Sequence, residues 1–414
     1  MKKNIVVLAD ALRHDYINEF DTPFLNGLKG NSFYIEKIIP SLGFCERAEI
    51  LTGKKGNKTG LFTAIEFNKK KSDYKNTIPL FFLNILYKLF DFFLKINRSY
   101  FLFRVKKKII RVGLSLFYPN AKMSPYNIPP AMLNSLSLTE DYKDHSLPNA
   151  FSEESLVDIC LKRNINLNFD AFTALGKKTK LINDEMRIKY VIEHVQKENN
   201  DDLYFLYIGV LDEKGHYFGP DSIDFKEALK NFDTDMKSLF SDLKNKLDCN
   251  ILIVGDHGMS NVIETLDFQS IINGILKKNM IQKEDIQIFC DSTMGRLRTK
   301  NKDVCKRLKD ELKNNQTLNE NGYFLSKEDL EKLNIPHRPE SYGDIIWIAN
   351  NGVMINPDYF HGFFPPKGMH GYLPNQDNTY GTLLLYGSEI RNIKSEFAEL
   401  TEVNSIIKTE MLGL

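Results

Sequence analysis

From its amino end the chain alternates short apolar runs with segments whose apolar residues recur at helical spacing. "NIVVLAD" is a continuous apolar run ending in a carboxylate, which suits a strand buried on both faces of a parallel sheet. "TPFLNGLKG" carries the Thr-Pro start and glycine stop of a short helix, and "SFYIEKIIP" reads as a strand ended by proline. "PSLGFCERAEILTG", from Pro40 to Gly53, then runs from a glycine-bearing turn into a short helix closed by Thr-Gly. Strand, helix, strand, helix is the opening of an α/β sheet covered on both faces.

The same pattern resumes after about Ser152. "TKLINDEMRIKYVIEHVQKE" and "SIDFKEALKNFDTDMKSLFSDLKNKL" are long amphipathic helices, followed respectively by the strands "DLYFLYIGVLD" (which precedes the second helix) and "CNILIVGDH". Between about Ser270 and Tyr342 the chain is more polar, with strand candidates "IQIFCD" and "GRLRTK" and the helix "KDVCKRLKDELKNN". "DIIWIANNGVMI" and "GTLLLYG" return to strand character. The pattern predicts an α/β core from 1–62, 150–270 and 343–414, a helical insertion over 63–149 and a small α+β cap over 271–342.

The insertion has a character of its own. From Ile78 to Phe117 aromatic and aliphatic residues dominate, interrupted by Lys88, Asp91 and Lys95 and then by Arg104, Lys106, Lys107, Lys108 and Arg111. No window of about 18 residues is free of charge, so a spanning helix is not expected. Two readings stand: a helical insertion packed on the main domain, or an amphipathic element making peripheral membrane contact through 78–117, with its basic residues toward anionic lipid.

Composition narrows the function classes. The 414 residues carry 55 Lys and Arg against 54 Asp and Glu, a net charge of +1 that gives no electrostatic case for a nucleic-acid polymer as partner. Cys45, Cys160, Cys249, Cys290 and Cys305 are odd in number and scattered, without a CxxC pair, which argues for a reducing, cytoplasmic setting rather than a disulfide framework. The apolar run at the amino end is short and stops at Asp10, so it reads as a first strand and not as a signal peptide.

Chemistry gathers at the strand ends. Asp10, Asp212 and Asp256 each close an apolar strand, at the sheet edge where open α/β folds bind ligands. Any one of them could simply cap the next helix. Here "LDEKGHYFGP" adds His216 four residues after Asp212, with Gly215 and Gly219 suiting a tight loop; "GDHGM" adds His257, and "GMHGYLP" adds His370 between residues that let the backbone approach a ligand. Imidazole and carboxylate are ligands for Zn²⁺, and Mn²⁺ also fits. Three Asp and three His are enough for two divalent ions about 3.5–4 Å apart, which would clamp the attacking and leaving oxygens of a phosphoryl displacement.

The order "VVLAD", Thr-Gly near residue 52, "DEKGH..GP", "GDHGM" and "MHGY" resembles the alkaline phosphatase superfamily, and within it the type I phosphodiesterase/nucleotide pyrophosphatase branch. The resemblance implies an alkaline-phosphatase-like sandwich around a mostly parallel sheet. It also implies Asp10, Asp256 and His257 on one metal and Asp212, His216 and His370 on the other. The implied activity is a binuclear metal-dependent hydrolase cleaving a phosphodiester, pyrophosphate or phosphomonoester in a phosphorylated small-molecule or lipid-linked substrate. Members of the superfamily bridge the metals with a Ser or Thr alkoxide nine residues before the Thr of Thr-Gly; here that position is Gly43, which has no side chain. Cys45, Ser41 or a metal-activated water must then supply the nucleophile. Arg47 matches a position where sulfatase-type relatives carry an arginine near the transferred group. Two alternatives follow, a phosphoryl-group transferase on a lipid-linked or glycan substrate and a metal-binding pseudoenzyme.

Overall fold

The apolar runs become a seven-stranded sheet. In the computed structural model, which describes residues 2–139, 144–173, 179–197, 202–244 and 248–414, its strands are β1 (Lys3–Ala9), β2 (Phe33–Ile39), β3 (Leu167–Asn168), β4 (Leu203–Ile208), β5 (Cys249–Val254), β6 (Gly381–Tyr386) and β7 (Lys394–Glu399). They lie in the order β7-β2-β6-β5-β1-β4-β3. β6 is antiparallel to both its neighbours, and the other pairings are parallel. The fold is α/β with a mostly parallel sheet, as the alternation of elements predicts.

Alternate residues of each strand feed two separate cores, which is why the runs are apolar throughout. Val6, Leu8, Phe205 and Leu252 face one side with Leu156 and Val403. Ile5, Val7, Leu206 and Ile253 face the other with Val191 and Phe232. Full burial of each such side chain contributes on the order of 1.5–3 kcal/mol.

The helices that matter below are α1 (Glu46–Thr52), α2 (Thr77–Ile96), α3 (Tyr100–Phe117), α4 (Asp184–Gln196), α5 (Val210–Phe218) and α6 (Ile223–Lys244). α1 stops where the sequence says it should: Gly53 takes φ 66° and donates its N–H to the Glu49 carbonyl at 2.8 Å. α4 starts where the Asn183 side chain accepts the Met186 N–H. Residues 245–247 at the end of the α6 pattern lie outside the described residues.

The chain divides into two compact units. The first, Met1–Leu61, Lys143–Asn261 and Lys367–Leu414, holds the seven-stranded sheet. The second, Phe62–Tyr142 and Val262–Pro366, takes in both the helical insertion and the cap segment. Its four-stranded sheet runs Ile286–Asp291, Met294–Thr299, Ile345–Ala349, Gly322–Phe324, with antiparallel pairings. The strand Ile345–Ala349, expected in the main domain from its apolar run, belongs instead to this smaller sheet. It pairs on both edges there and buries Trp347, whose indole N–H donates to the Leu318 carbonyl. An apolar strand does not announce which sheet will bury it.

Within the second unit α2 and α3 form a helical hairpin. One stripe of each is buried, Leu80, Leu83, Tyr87 and Leu94 on α2 and Phe103, Ile110 and Leu114 on α3. Gly113 lets the two helices approach: a Cβ there would stand 2.6 Å from a Leu83 methyl. Lys106 is also buried, ion-paired with Asp91 and 3.5 Å from the Tyr87 ring centroid. Burial pushes the Lys106 ammonium pKa down and the Asp91 carboxyl up, so each needs the other to stay charged. α2 is, by length and composition, apolar enough to cross a membrane. The charge interruptions that argued against this fall on one side of the helix, which counting along the chain does not reveal.

Candidate active site

The carboxyl ends of three adjacent parallel strands deliver the carboxylates. Asp10 follows β1 directly, and Asp256 follows β5 after Gly255. Asp212 follows β4 but lies in the first turn of α5, where the sequence suggested a tight loop. The segment is helical, and its four-residue spacing puts Asp212 and His216 on one helix face; Gly219, at φ 86°, ends the helix. The His216 Nε2 is 3.2 Å from Asp212 Oδ1.

Two groups form. Asp212, His216 and His370 bring ligand atoms within 4.8 Å of one another, and so do Asp10, Asp212 and His257. His370 Nε2 is 3.4 Å from Asp212 Oδ1, and its ring stacks on His257 with centroids 3.9 Å apart. His257 Nε2 is 3.3 Å from Asp10 Oδ1 and 3.8 Å from Asp256 Oδ1. All six residues singled out by sequence therefore converge on one place, with Asp212 common to both groups. Asp256 stands slightly apart, because its Oδ1 accepts the backbone N–H groups of Ala11 and His257 at 3.2 and 3.0 Å.

Hydrogen bonds to the outer side of the imidazoles orient them. The Gly368 carbonyl accepts from His216 Nδ1 at 2.8 Å, and the Gly258 carbonyl accepts from His257 Nδ1 at the same distance. A carbonyl can only accept, so the Nδ1 atoms carry the protons and the Nε2 lone pairs turn toward carboxylate oxygens. Lone pair against lone pair is repulsive unless a cation lies between them. Asp212 Oδ1 shows the consequence: it is buried and has no hydrogen-bond partner, although two imidazole nitrogens stand near it. The residues fit a divalent metal.

Without a metal the site attracts protons. Burial opposes charge on His257, but Asp256 and Asp10 push its pKa well above the usual imidazole range; Asp212 similarly raises His216 against burial. Burial, then the Asp10 charge, pushes the Asp256 carboxyl up to about 6. Asp10 is buried too, yet the His257 hydrogen bond and charge, with help from Arg47 and Tyr207, hold it down at about 2. An excess of negative charge in low dielectric is the field a divalent cation would meet.

The opening helix, α1, supplies the remaining candidates. Cys45 is its N-cap residue and is buried. Arg47 lies one residue into α1. Its Nε donates to the Thr173 carbonyl at 3.2 Å, and its guanidinium lies 5.2 Å from the Tyr207 ring centroid. Tyr207 was not foreseen from the sequence; its hydroxyl donates to Asp10 Oδ2 at 2.6 Å, tying Arg47 and Asp10 into one arrangement. A tyrosine next to last in an otherwise aliphatic strand end was the signal available. Gly43, at φ 117°, lines a recess with Ser41, Glu46, His257 and His370. Glu46, on the same stretch as Ser41 and Cys45, is buried and its charge helps raise the His257 pKa. Ser41 Oγ donates to Glu49 Oε2 at 2.6 Å and accepts from Lys55 Nζ, which also pairs with Glu399.

Residues 4–373 match the family described as type I phosphodiesterase / nucleotide pyrophosphatase. No curated protein matches the chain significantly. Among solved structures, murine ectonucleotide pyrophosphatase/phosphodiesterase 5 superposes with a TM-score of 0.67 at 16% identity, covering 100% of this chain and 95% of that one. The same protein as an inactive Thr-to-Ala variant in complex with AMP gives the same values, and the human counterpart gives 0.67 at 14% identity, again over 100% and 95% of the two chains. At such identities these likenesses speak for the fold alone, while the family match extends over nearly the whole chain. The chain belongs to the type I phosphodiesterase/nucleotide pyrophosphatase family and is a hydrolase of that type.

Proposed function

We propose that this hydrolase is binuclear and metal-dependent, with Asp10, Asp256 and His257 holding one ion and Asp212, His216 and His370 the other. The observation that carries this reading is the orphaned Asp212 Oδ1 between two imidazole nitrogens. Imidazole with carboxylate suits Zn²⁺ first and Mn²⁺ as well. When bound, such ions supply Lewis-acid stabilisation of charge on phosphoryl oxygens.

The chain's own residues bind and orient. Tyr207 fixes Asp10, and the Gly368 and Gly258 carbonyls fix the His216 and His257 tautomers. Arg47 places a guanidinium whose charge reaches both Asp10 and Asp256, and in this reading it neutralises a non-bridging oxygen of the substrate. Cys45, at the head of α1, is the proposed nucleophile. Ser41 lines the recess, but its hydroxyl is already committed to Glu49 and Lys55. Direct attack by water is the third route, for which Gly43 leaves room.

A phosphodiester or pyrophosphate of a nucleotide is the first substrate class to try, because AMP occupies the murine relative. Phosphomonoesters and lipid-linked phosphates are the next. The proposed setting is the cytoplasm, at the membrane periphery through 78–117. That setting is supported by five cysteines, all described, among which no disulfide occurs. The exposed apolar hairpin favours a second reading, a phosphoryl-group transferase on a lipid-linked or glycan substrate; Gly43 favours a third, a metal-binding pseudoenzyme.

The test is hydrolysis of bis-p-nitrophenyl phosphate, p-nitrophenyl phosphate and dinucleotide pyrophosphates by Zn²⁺-loaded wild type, Cys45→Ala and Ser41→Ala. Cys45→Ala is expected to lose about 10³-fold or more in kcat, and Ser41→Ala less than about tenfold. The reverse order transfers the role to Ser41, and retention by both variants assigns attack to water. No turnover by the wild type on any ester overturns the hydrolase mechanism in favour of a transferase or pseudoenzyme.

A further inference from the structure

The α2–α3 hairpin is apolar on two opposite sides. Its inner stripe is buried, as described above, and its outer side is not. On α2, Ile78, Phe81, Phe82, Ile85, Leu89 and Phe92 are each 52–67% exposed. At 3.6 residues per turn these fall on the arc opposite Leu80, Leu83, Tyr87 and Leu94. On α3, Phe101, Val112 and Leu116 are 76%, 50% and 73% exposed on a single face. Of the 26 large hydrophobic residues exposed among the described residues, 15 lie between Ile78 and Phe117. Scattered exposed leucines need no explanation, but a continuous field of this kind exceeds what a soluble surface ordinarily carries.

The charges around the field say what covers it. Residues 77–117 hold eight basic residues and one acidic residue, Asp91, and Asp91 is taken by the buried Lys106. Arg104, Lys107, Lys108 and Arg111 are exposed and form a ridge along α3 beside its apolar face, while Lys88 and Lys95 share one edge of α2. An apolar face bordered by basic side chains long enough to reach phosphates matches an anionic bilayer interface. A second copy of the chain would bring two strongly basic surfaces together. Spanning by α2 would put Lys88 and Asp91 near the middle of the hydrocarbon and strip the helix from its buried stripe, both unfavourable.

We propose that the α2–α3 hairpin lies in the plane of an anionic membrane, with its outer apolar face in the acyl region and the basic ridge at the phosphates. This deepens the membrane contact named under the proposed function and rests on that part of it. Binding is read without turnover, so its failure would leave the hydrolase chemistry untouched.

The experiment is co-flotation of the full chain with vesicles of phosphatidylcholine alone or with about one-third phosphatidylglycerol. The protein is wild type, the apolar-face variant Phe82→Asp/Phe92→Asp, or the ridge variant Arg104→Glu/Lys108→Glu. Wild type is expected to bind anionic vesicles about tenfold or more tightly than neutral ones, and less tightly as salt rises. Each variant should lose about tenfold or more in binding while keeping its melting temperature and its turnover of a soluble ester. Absence of wild-type binding to both vesicles overturns the proposal. So does a wild-type dimer, seen by sedimentation, that Phe82→Asp/Phe92→Asp dissociates while vesicle binding is unaffected. Retention in the bilayer through an alkaline carbonate wash would overturn it in favour of a spanning α2.

Discussion

Replacing Asp212 by Asn is expected to lower metal-dependent hydrolysis by about 10³-fold or more, since a metal ion supplies several kcal/mol of transition-state stabilisation. Asp212 has ligand atoms in both groups, with Oδ1 near His216 and His370 and the carboxylate also grouped with Asp10 and His257. An asparagine keeps the shape but removes the charge, and can point an NH₂ at the imidazole lone pairs. The fold should not suffer, because the Gly209 and Val210 N–H groups at the start of α5 donate to the Asp184 carboxylate and not to Asp212. Metal content by elemental analysis should fall along with the rate, while the melting temperature of the metal-stripped protein holds or rises. Wild-type turnover in this variant would remove Asp212 from the chemistry.

Gly255→Ala should have the second largest effect, by a different route. Gly255 joins β5 to Asp256 and His257, and its N–H donates to the Thr382 carbonyl at 2.8 Å. A Cβ on Gly255 would stand 2.1 Å from the Leu12 carbonyl oxygen, and one on Gly381 would stand 2.0 Å from the Gly255 oxygen. Backbone lies on both sides, so no flexible side-chain tip can give way. Overpacking of this kind costs about 1–3 kcal/mol, and the upper end is expected here. Any relief that moves residue 255 also moves the two site residues after it, and a misplacement of about 1 Å lowers turnover about 10²-fold. Denaturant unfolding and kcat together check this; a variant with unchanged midpoint and rate would show that the backbone packed around Gly255 has slack.

What could be read from the sequence was what local pattern determines. Apolar runs such as Ile5–Ala9 and Ile251–Val254 are recognisable because both of their faces are buried. Asp10, Asp256 and His257 stand out because they sit where such runs end, and His370 because of the glycines around it. Other features depend on partners distant in sequence. The "DEKGH" segment is helical, which puts Asp212 and His216 on one face, whereas its glycines suggested a loop. Ile345–Ala349 joined the smaller sheet because its edges match Met294–Thr299 and Gly322–Phe324. The Arg47–Tyr207–Asp10 arrangement joins three elements, the outermost two 197 residues apart, and could not be read from any one of them. The hairpin shows the limit of counting charges along a chain: Lys88 and Lys95 interrupt the apolar run in sequence but share one edge of α2.

The most direct measurement is turnover of bis-p-nitrophenyl phosphate by metal-stripped protein as Zn²⁺ is added in known equivalents. If the six Asp and His residues hold a pair of ions that do the chemistry, the rate rises to a break at two equivalents per chain. Full turnover in the presence of a chelator, or a plateau already reached at one equivalent, would contradict that.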